Sequence, residues 1–206
     1  MRIHEFLLVT GAKHGVDMRK LRGSDRDGGY GWISICLHWL TATAIFVLLF
    51  AGDSIGVVGA EARTFHTTIG TCAWIVLAAR IAWRLLEGHP PRAPEQDRFS
   101  FYAGMAVHYV LLAAIALMLV SGPLAGWASG GGIDVFSLHI AGVQPALTDL
   151  YALFRMLHIA GAVALAIGTL LHVAGVLKHM FVDKDHTLDR IMVPPARRAP
   201  PRLHQG

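Results

Sequence analysis

Hydrophobic residues fall into four long stretches, and polar residues gather in the short segments between them. Three stretches hold no charged side chain and the fourth holds only Arg80; they cover residues 28–51, 99–133, 156–177 and 64–83. An α-helix needs about 20 mainly apolar residues to cross the hydrocarbon core of a bilayer. The pattern therefore predicts an all-α fold, a four-helix transmembrane bundle with spans at about 30–51, 64–86, 101–127 and 150–182.

Composition supports a membrane protein, because 54% of the residues are hydrophobic and only 16% are charged. Soluble domains are usually about 45–50% apolar and about 25% charged. The flanking segments are predicted to lie outside the bilayer. Residues 1–29 form a weakly ordered arm, with Met18 as an alternative start, residues 30–192 form the membrane domain, and residues 193–206 form a basic, proline-rich tail.

The basic residues predict the orientation of the bundle. Of 18 Lys and Arg, all but Arg63 and Arg155 lie at the ends of the spans that share a side with the chain termini. Lys and Arg mark the cytoplasmic side of a membrane protein. We therefore expect both termini in the cytoplasm, and membrane lipid as the principal neighbour. The net charge of +4 follows from this bias, so it is not interpreted as a sign of nucleic-acid binding.

Histidines are the unusual polar residues of the spans. Ionisable side chains within a bilayer are costly and by default indicate function. His158 and His172 lie fourteen residues apart, which is close to four helical turns, so both point the same way about 21 Å apart. Six of the twelve histidines lie in polar segments, His89 among them, and are predicted to be solvated. The other six are His38, His66, His108, His158, His172 and His179.

Depth in the membrane sorts four of these histidines into two pairs. His38 matches His172 near the inner side, and His66 matches His158 near the outer side. Two imidazoles can fill both axial positions of one haem iron, which leaves no site for O₂ and suits electron transfer. The sequence has no C-x-x-C-H motif, so these would be two b-type haems without thioether links. The predicted metal ligands are therefore these four histidines.

Three glycines lie about one helical turn from a predicted ligand. Gly70 follows His66, while Gly161 and Gly175 follow the two histidines of span four. A residue without a side chain lets a flat macrocycle approach the helix backbone. We therefore expect these glycines to contact the haems.

Other residues near the inner pair have two interpretations each. His108 lies at the same depth and either replaces a ligand or hydrogen-bonds a haem propionate or a quinone, and the second role is favoured. Arg80 and Arg84 either anchor span two at the cytoplasmic surface or clamp the propionates. His179 lies at the water interface, where we expect it to act as an anchor. Cys36 and Cys72 differ in depth, so a disulfide is not expected.

Four stretches of the chain have the order and spacing of a known family. They are Tyr30–Leu40, His66–Gly70, Ser121–Trp127 and Leu177–Arg190. Together they resemble the bacterial cytochrome b561 family, which is related to the b-type cytochrome subunits of nickel–iron hydrogenases and formate dehydrogenases. Gly31 and Ser34 depart from the family pattern, where Ser and Gln are usual.

The resemblance covers about residues 30–192 and has several implications. It implies axial ligands at His38, His66, His158 and His172, two haem b groups, the bacterial inner membrane, and electron exchange with quinone. It predicts a di-haem electron carrier with no catalytic residue of its own. The alternatives are a superoxide:quinone oxidoreductase and a cytochrome b anchor subunit of a larger dehydrogenase or hydrogenase. A protein redox partner and a homodimer stay open.

A metal-ion or proton pathway lined by histidines is a further alternative from a different class of protein. The spans contain no carboxylate, which argues against it.

Overall fold

Four long helices dominate the structure, a computed structural model that describes residues 30–89, 91–92, 96–185 and 188–192. Each is long and apolar enough to cross a membrane. This confirms the predicted all-α, four-span architecture. The predicted N-terminal arm and basic tail lie outside the described residues. The helices are α1 (Trp32–Val58), α2 (Ala60–Glu87), α3 (Arg98–Ala128) and α4 (Thr148–Lys178).

The connection between α1 and α2 is shorter than the sequence predicted. The predicted spans at about 30–51 and 64–86 leave Asp53 and Glu61 in a loop, but both residues lie within helices, and Gly59 alone joins the two. Gly59 has a φ of 81°, in the left-handed region that glycine adopts without steric cost. The apolar pattern marks the length that crosses the bilayer, whereas the helices continue beyond it.

The segment between α3 and α4 contains a small β-hairpin, whereas the predicted spans at about 101–127 and 150–182 leave this segment as a long loop. Strands β1 (Ile133–Val135) and β2 (Leu138–Ile140) pair antiparallel, and Asp134 lies opposite His139. The side chain of Thr67 in α2 donates to the carbonyl of Asp134 at 2.6 Å. We call this side of the bundle the hairpin end, and the side where α1 begins and α4 finishes the terminal end.

Helix α4 changes geometry before the predicted end of its span. The α-helix ends at Lys178 and continues as one π-helical turn, His179–Asp183. A short helix, α5 (Asp189–Met192), follows. The His179 ring nitrogen Nδ1 lies 2.7 Å from a carboxylate oxygen of Asp185, so this imidazole is engaged where the helix stops.

The four helices pack as two pairs. Within the pairs α1/α2 and α3/α4 contact is extensive, whereas the two pairs touch each other much less. Glycines allow the close approach of α3 and α4. A Cβ on Gly161 would lie 2.8 Å from the sulfur of Met118, and one on Gly168 would lie 2.9 Å from Leu111. Small residues at such contacts are typical of membrane helices. The buried core consists of Ala73, Leu77, Ala114, Ile115 and Leu165.

Pro123 lies inside α3 and lacks the N–H that would bond the carbonyl four residues earlier. That carbonyl belongs to Leu119, and the indole Nε1 of Trp74 in α2 donates to it at 3.1 Å. The neighbouring helix thus satisfies the backbone group that proline releases. Outward faces carry exposed apolar side chains such as Phe50 and Leu170, which contact lipid in a membrane-embedded protein.

Candidate functional site

Four histidines of three helices form two pairs inside the bundle. His66 of α2 faces His158 of α4 toward the hairpin end, and their ring centroids are 6.1 Å apart. His38 of α1 faces His172 of α4 toward the terminal end, again with centroids 6.1 Å apart. The structure therefore brings together both pairs that the depth argument predicted. Each pair joins α4 to a helix of the other helix pair.

The spacing within each pair fits a metal ion held between two imidazoles. Metal–imidazole bonds are about 2.0–2.1 Å long, so two opposed imidazoles place their ring centroids about 6 Å apart. Both observed separations agree with this value. Imidazole pairs in a bundle interior are also a donor set that haem iron accepts at its two axial positions. The four histidines fit a haem b at each end, and their role as ligands stays a prediction.

At the hairpin end, a hydrogen bond to a backbone carbonyl of α1 fixes the orientation of the His66 ring. Its Nδ1 lies 3.1 Å from the carbonyl oxygen of Leu48. A carbonyl only accepts hydrogen bonds, so Nδ1 carries the proton and Nε2 keeps its lone pair for a metal. A Cβ on Gly52 would lie 3.4 Å from the His66 ring. The imidazole therefore lies on helix backbone that bears no side chain at that point.

His158 has a matching environment on α3. Its Nδ1 lies 3.3 Å from the hydroxyl oxygen of Ser121, and that hydroxyl donates to the carbonyl of Leu117 at 2.7 Å. Because the single hydroxyl proton is used there, the serine oxygen accepts from Nδ1–H of His158. A Cβ on Gly122 would lie 2.9 Å from the ring. His66 and His158 thus both keep the lone pair of Nε2 free.

At the terminal end, a third imidazole lies beside the pair. His108 of α3 has its ring centroid 4.9 Å from that of His172, which is shorter than the spacing a shared metal requires. The geometry therefore favours the non-ligand role for His108. His89 stacks on the His108 ring, with centroids 5.8 Å apart and planes inclined by 26°.

The prediction that His89 is a solvated loop residue is wrong. It is half-buried, and its Nε2 is buried without a hydrogen-bond partner among the described residues. Burial, together with the nearby positive charges of Arg84 and Arg80, lowers the pKa of His89 to about 4. The imidazole is therefore neutral near pH 7. Sequence reasoning missed this because α2 ends at Glu87 and the next residues lie against α3, where His89 contacts the rings of His108 and Tyr109.

Basic and polar side chains complete the terminal end. The guanidinium of Arg80 donates to the carbonyl of Ser34 at 3.4 Å. The indole of Trp83 donates to the Ser34 hydroxyl at 2.8 Å. Arg84 is only 5% exposed and lies over the Tyr30 ring, with 5.4 Å between its guanidinium carbon and the ring centroid. Two permanent positive charges therefore lie on the side of the bundle where His38 and His172 meet.

The three predicted glycines have different surroundings. A Cβ on Gly175 would meet nothing within 4 Å, which leaves space beside the terminal-end pair. A Cβ on Gly70 would meet only Leu48, at 3.7 Å. Gly161 instead packs against Met118, so its observed contact is with α3, and its role beside a haem stays a prediction.

Sequence reasoning also missed the residues that support the histidines from neighbouring helices: Leu48, Gly52, Ser121 and Gly122. A serine next to a glycine in an uncharged span is a signal for the last two. Leu48 acts through its backbone carbonyl, so its side chain gives no signal.

Comparison with known proteins adds an independent finding. A family model described as prokaryotic cytochrome b561 matches residues 29–194, which include all four long helices and both histidine pairs. Cytochrome b561 homolog 2 of Escherichia coli (strain K12) is 28% identical over 170 residues. That similarity covers 79% of this chain and 90% of the bacterial protein.

Proposed function

Because this chain belongs to the prokaryotic cytochrome b561 family, we propose that it is a di-haem electron carrier that exchanges electrons with quinone. Membership of this family identifies the chain as a membrane-embedded b-type cytochrome that transfers electrons. The proposal adds three elements. There are two haems in each chain, His66 with His158 and His38 with His172 are their axial ligands, and a quinone is the mobile redox partner.

The observation that carries this proposal is the equal spacing of the two histidine pairs. Each has ring centroids 6.1 Å apart, and the α4 members lie about 21 Å apart along the helix axis. One imidazole pair could be a helix contact, but two with the same metal-compatible spacing at different depths argue for two like cofactors. A haem b with both axial positions filled supplies a reversible one-electron couple and has no open site for O₂.

The side chains of this protein hold and orient such groups. Leu48 and Ser121 keep the hairpin-end imidazoles in the tautomer that offers Nε2. The two helix pairs touch each other much less than the helices within each pair do, and both histidine pairs lie between them. Arg80 lies at the terminal end, where its guanidinium can pair with a propionate carboxylate, the geometry that Arg forks suit.

The terminal end is also our proposed place for quinone exchange. His108 and His89 form a run of imidazoles from the His172 ring toward the loop that follows α2. His89 is neutral near pH 7 because its pKa is lowered to about 4, and its buried Nε2 can hydrogen-bond a quinone oxygen or a quinol hydroxyl. We place this end in the cytoplasm and the hairpin end in the periplasm, as the basic residues predict.

Haem quantitation tests the ligand assignment. The purified full chain is expected to contain two haems. Alanine variants at His38, His66, His158 and His172 should each lose one, with His38 and His172 affecting the same spectral component. His139→Ala is the matched control, because this exposed imidazole pairs with Asp134 in the β-hairpin and should leave both haems in place. One haem in the wild-type chain, or loss of the same haem from variants of both pairs, would contradict the proposal.

We do not propose the alternative activity, that of a superoxide:quinone oxidoreductase, because the charges at the hairpin end disfavour it. A negatively charged substrate is steered by positive surface. The segments at this end carry four carboxylates, Asp53, Glu61, Asp134 and Asp149, against two guanidinium groups, Arg63 and Arg155. Superoxide decay coupled to quinone reduction, followed by stopped flow, would establish this activity.

A further inference from the structure

We propose that Ser121 is a positioning residue that fixes His158 and lowers the reduction potential of the haem at the hairpin end. This inference rests on the proposed function, because it takes His158 as an axial ligand. It goes further by assigning a role to a side chain on α3, which carries none of the four proposed ligands.

The burial of Ser121 is the first observation. Ser121 is 1% exposed in the interior of a membrane-spanning helix, where a polar group is costly unless it is hydrogen-bonded. Its hydroxyl donates to the Leu117 carbonyl at 2.7 Å, a bond that serine can make on any helix. The second bond, accepted from Nδ1 of His158 at 3.3 Å, is specific to this place.

The same bonding occurs on the other side of the hairpin end. His66 donates from Nδ1 to the backbone carbonyl of Leu48 at 3.1 Å. Among the described residues, neither His38 nor His172 makes a hydrogen bond through its ring nitrogens. Only the hairpin-end ligands are therefore fixed by acceptors behind them.

This difference has a predictable effect on the metal. An imidazole that donates from Nδ1 is a more basic ligand through Nε2, and stronger donation favours the ferric state. Arg80 and Arg84 act in the opposite direction at the terminal end, because nearby positive charge favours the ferrous state with its smaller charge. The hairpin-end haem should therefore have the lower midpoint reduction potential. Of the two hydrogen-bond acceptors, only Ser121 can be removed by a side-chain substitution, because Leu48 accepts through its backbone carbonyl.

Redox titration of the purified holoprotein tests the proposal. We expect two midpoints, the lower one assigned by its absence in His158→Ala. Ser121→Ala should keep both haems, raise the lower midpoint and leave the higher one in place, and Ser121→Thr, which restores a hydroxyl, should return the lower midpoint toward the wild-type value. Ser54→Ala is the control, because the Ser54 hydroxyl makes the same bond, to the Phe50 carbonyl at 2.8 Å, without a histidine neighbour.

An unchanged lower midpoint in Ser121→Ala, or a shift of the higher midpoint alone, would overturn the inference. Electron paramagnetic resonance spectra of the low-spin ferric haems give a second readout. A His158 ring released from its hydrogen bond should change the signal of the hairpin-end haem only. Loss of that haem from Ser121→Ala but not from Ser121→Thr also supports positioning, whereas loss from both variants overturns it. If His158→Ala retains two haems, the ligand assignment fails, whatever Ser121→Ala does.

Discussion

At the hairpin end, His66 and His158 each lie against a glycine of the adjacent helix. Gly52 gives His66 its space and Gly122 gives His158 its space, with imaginary Cβ atoms 3.4 Å and 2.9 Å from the rings. At this residue scale, the absence of a side chain on one helix determines where a functional side chain of another can lie. The requirement is stricter at Gly122, since 2.9 Å is closer than a real Cβ approaches its neighbours.

Gly122→Ala should therefore disturb the hairpin-end haem selectively. The new methyl group would displace the His158 ring, so we expect that haem to be lost or its low-spin spectrum to change. Gly168→Ala is a matched control, because its Cβ would lie 2.9 Å from Leu111 and would meet no histidine within 4 Å. The control should lose roughly 1–3 kcal/mol of stability by overpacking and keep both haems. Equal haem loss from both variants would contradict this assignment.

The lowered pKa of His89 predicts that the stability of the fold depends on pH. Its pKa is lowered to about 4 in the folded protein, chiefly by burial and further by Arg84, whereas an unfolded histidine titrates near 6.5. The unfolded state therefore binds more protons between these values, and stability falls as pH decreases from about 6.5 toward 4. Thermal unfolding in detergent should show this decline, and His89→Gln should reduce it. The same slope in the variant would show that other groups are responsible.

At the scale of single elements, α3 depends on α2 for one backbone hydrogen bond. Pro123 leaves the Leu119 carbonyl without its usual helical donor, and Trp74 supplies the replacement across the helix contact. A carbonyl left unpaired in an apolar environment typically costs about 1–3 kcal/mol. The contact thus links the proline of one helix to the indole of another.

A double-mutant cycle tests this link. Trp74→Phe should lower the unfolding free energy by about 1–2 kcal/mol, because the carbonyl loses its donor. In a Pro123→Ala background the same change should cost much less, since the backbone N–H at position 123 can then bond Leu119. Chemical unfolding in detergent measures all four proteins. Additive costs would indicate that the indole stabilises the bundle only through packing.

The elements differ in how far the sequence predicts them. Three uncharged runs and one that holds only Arg80 are enough to predict the four spans, because crossing a bilayer requires an apolar stretch of about 20 residues. The same signal could not predict that α1 continues through Asp53, since polar residues beyond the bilayer do not end a helix. The β-hairpin was missed because its strands have three residues each and depend on Thr67 and Thr68 of α2.

The histidine pairs were predictable from depth, but their supporting contacts were not. Depth follows from counting residues along each helix, and that count placed His38 beside His172 and His66 beside His158. Ser121, Gly122 and the position of His89 depend on how helices rotate and on where a loop returns. Those features arise from packing between segments distant in sequence.

At the scale of the whole molecule, the orientation in the membrane has a direct test. A cysteine at Ser137, in the exposed turn of the β-hairpin, should react with a membrane-impermeant maleimide in intact cells. A cysteine at Lys184, at the terminal end, should react only after lysis. Cys36 and Cys72 are free and exposed, so both are first replaced by alanine. Labelling of Lys184→Cys in intact cells would contradict the proposed orientation and indicate the opposite one.

The two helix pairs are expected to be held together largely by bound haems. The pairs α1/α2 and α3/α4 touch each other little, and both histidine pairs connect α4 to the opposite helix pair. Bound haems would thus join the halves and stabilise the fold, by about 4 kcal/mol per site at a thousandfold excess over the dissociation constant. Because the sites lie about 21 Å apart, the two contributions should be nearly additive. His158→Ala and His172→Ala should each lower the melting temperature, the double variant by about the sum, and His139→Ala should not. A haem-free double variant as stable as the wild type would mean that helix packing alone holds the bundle together.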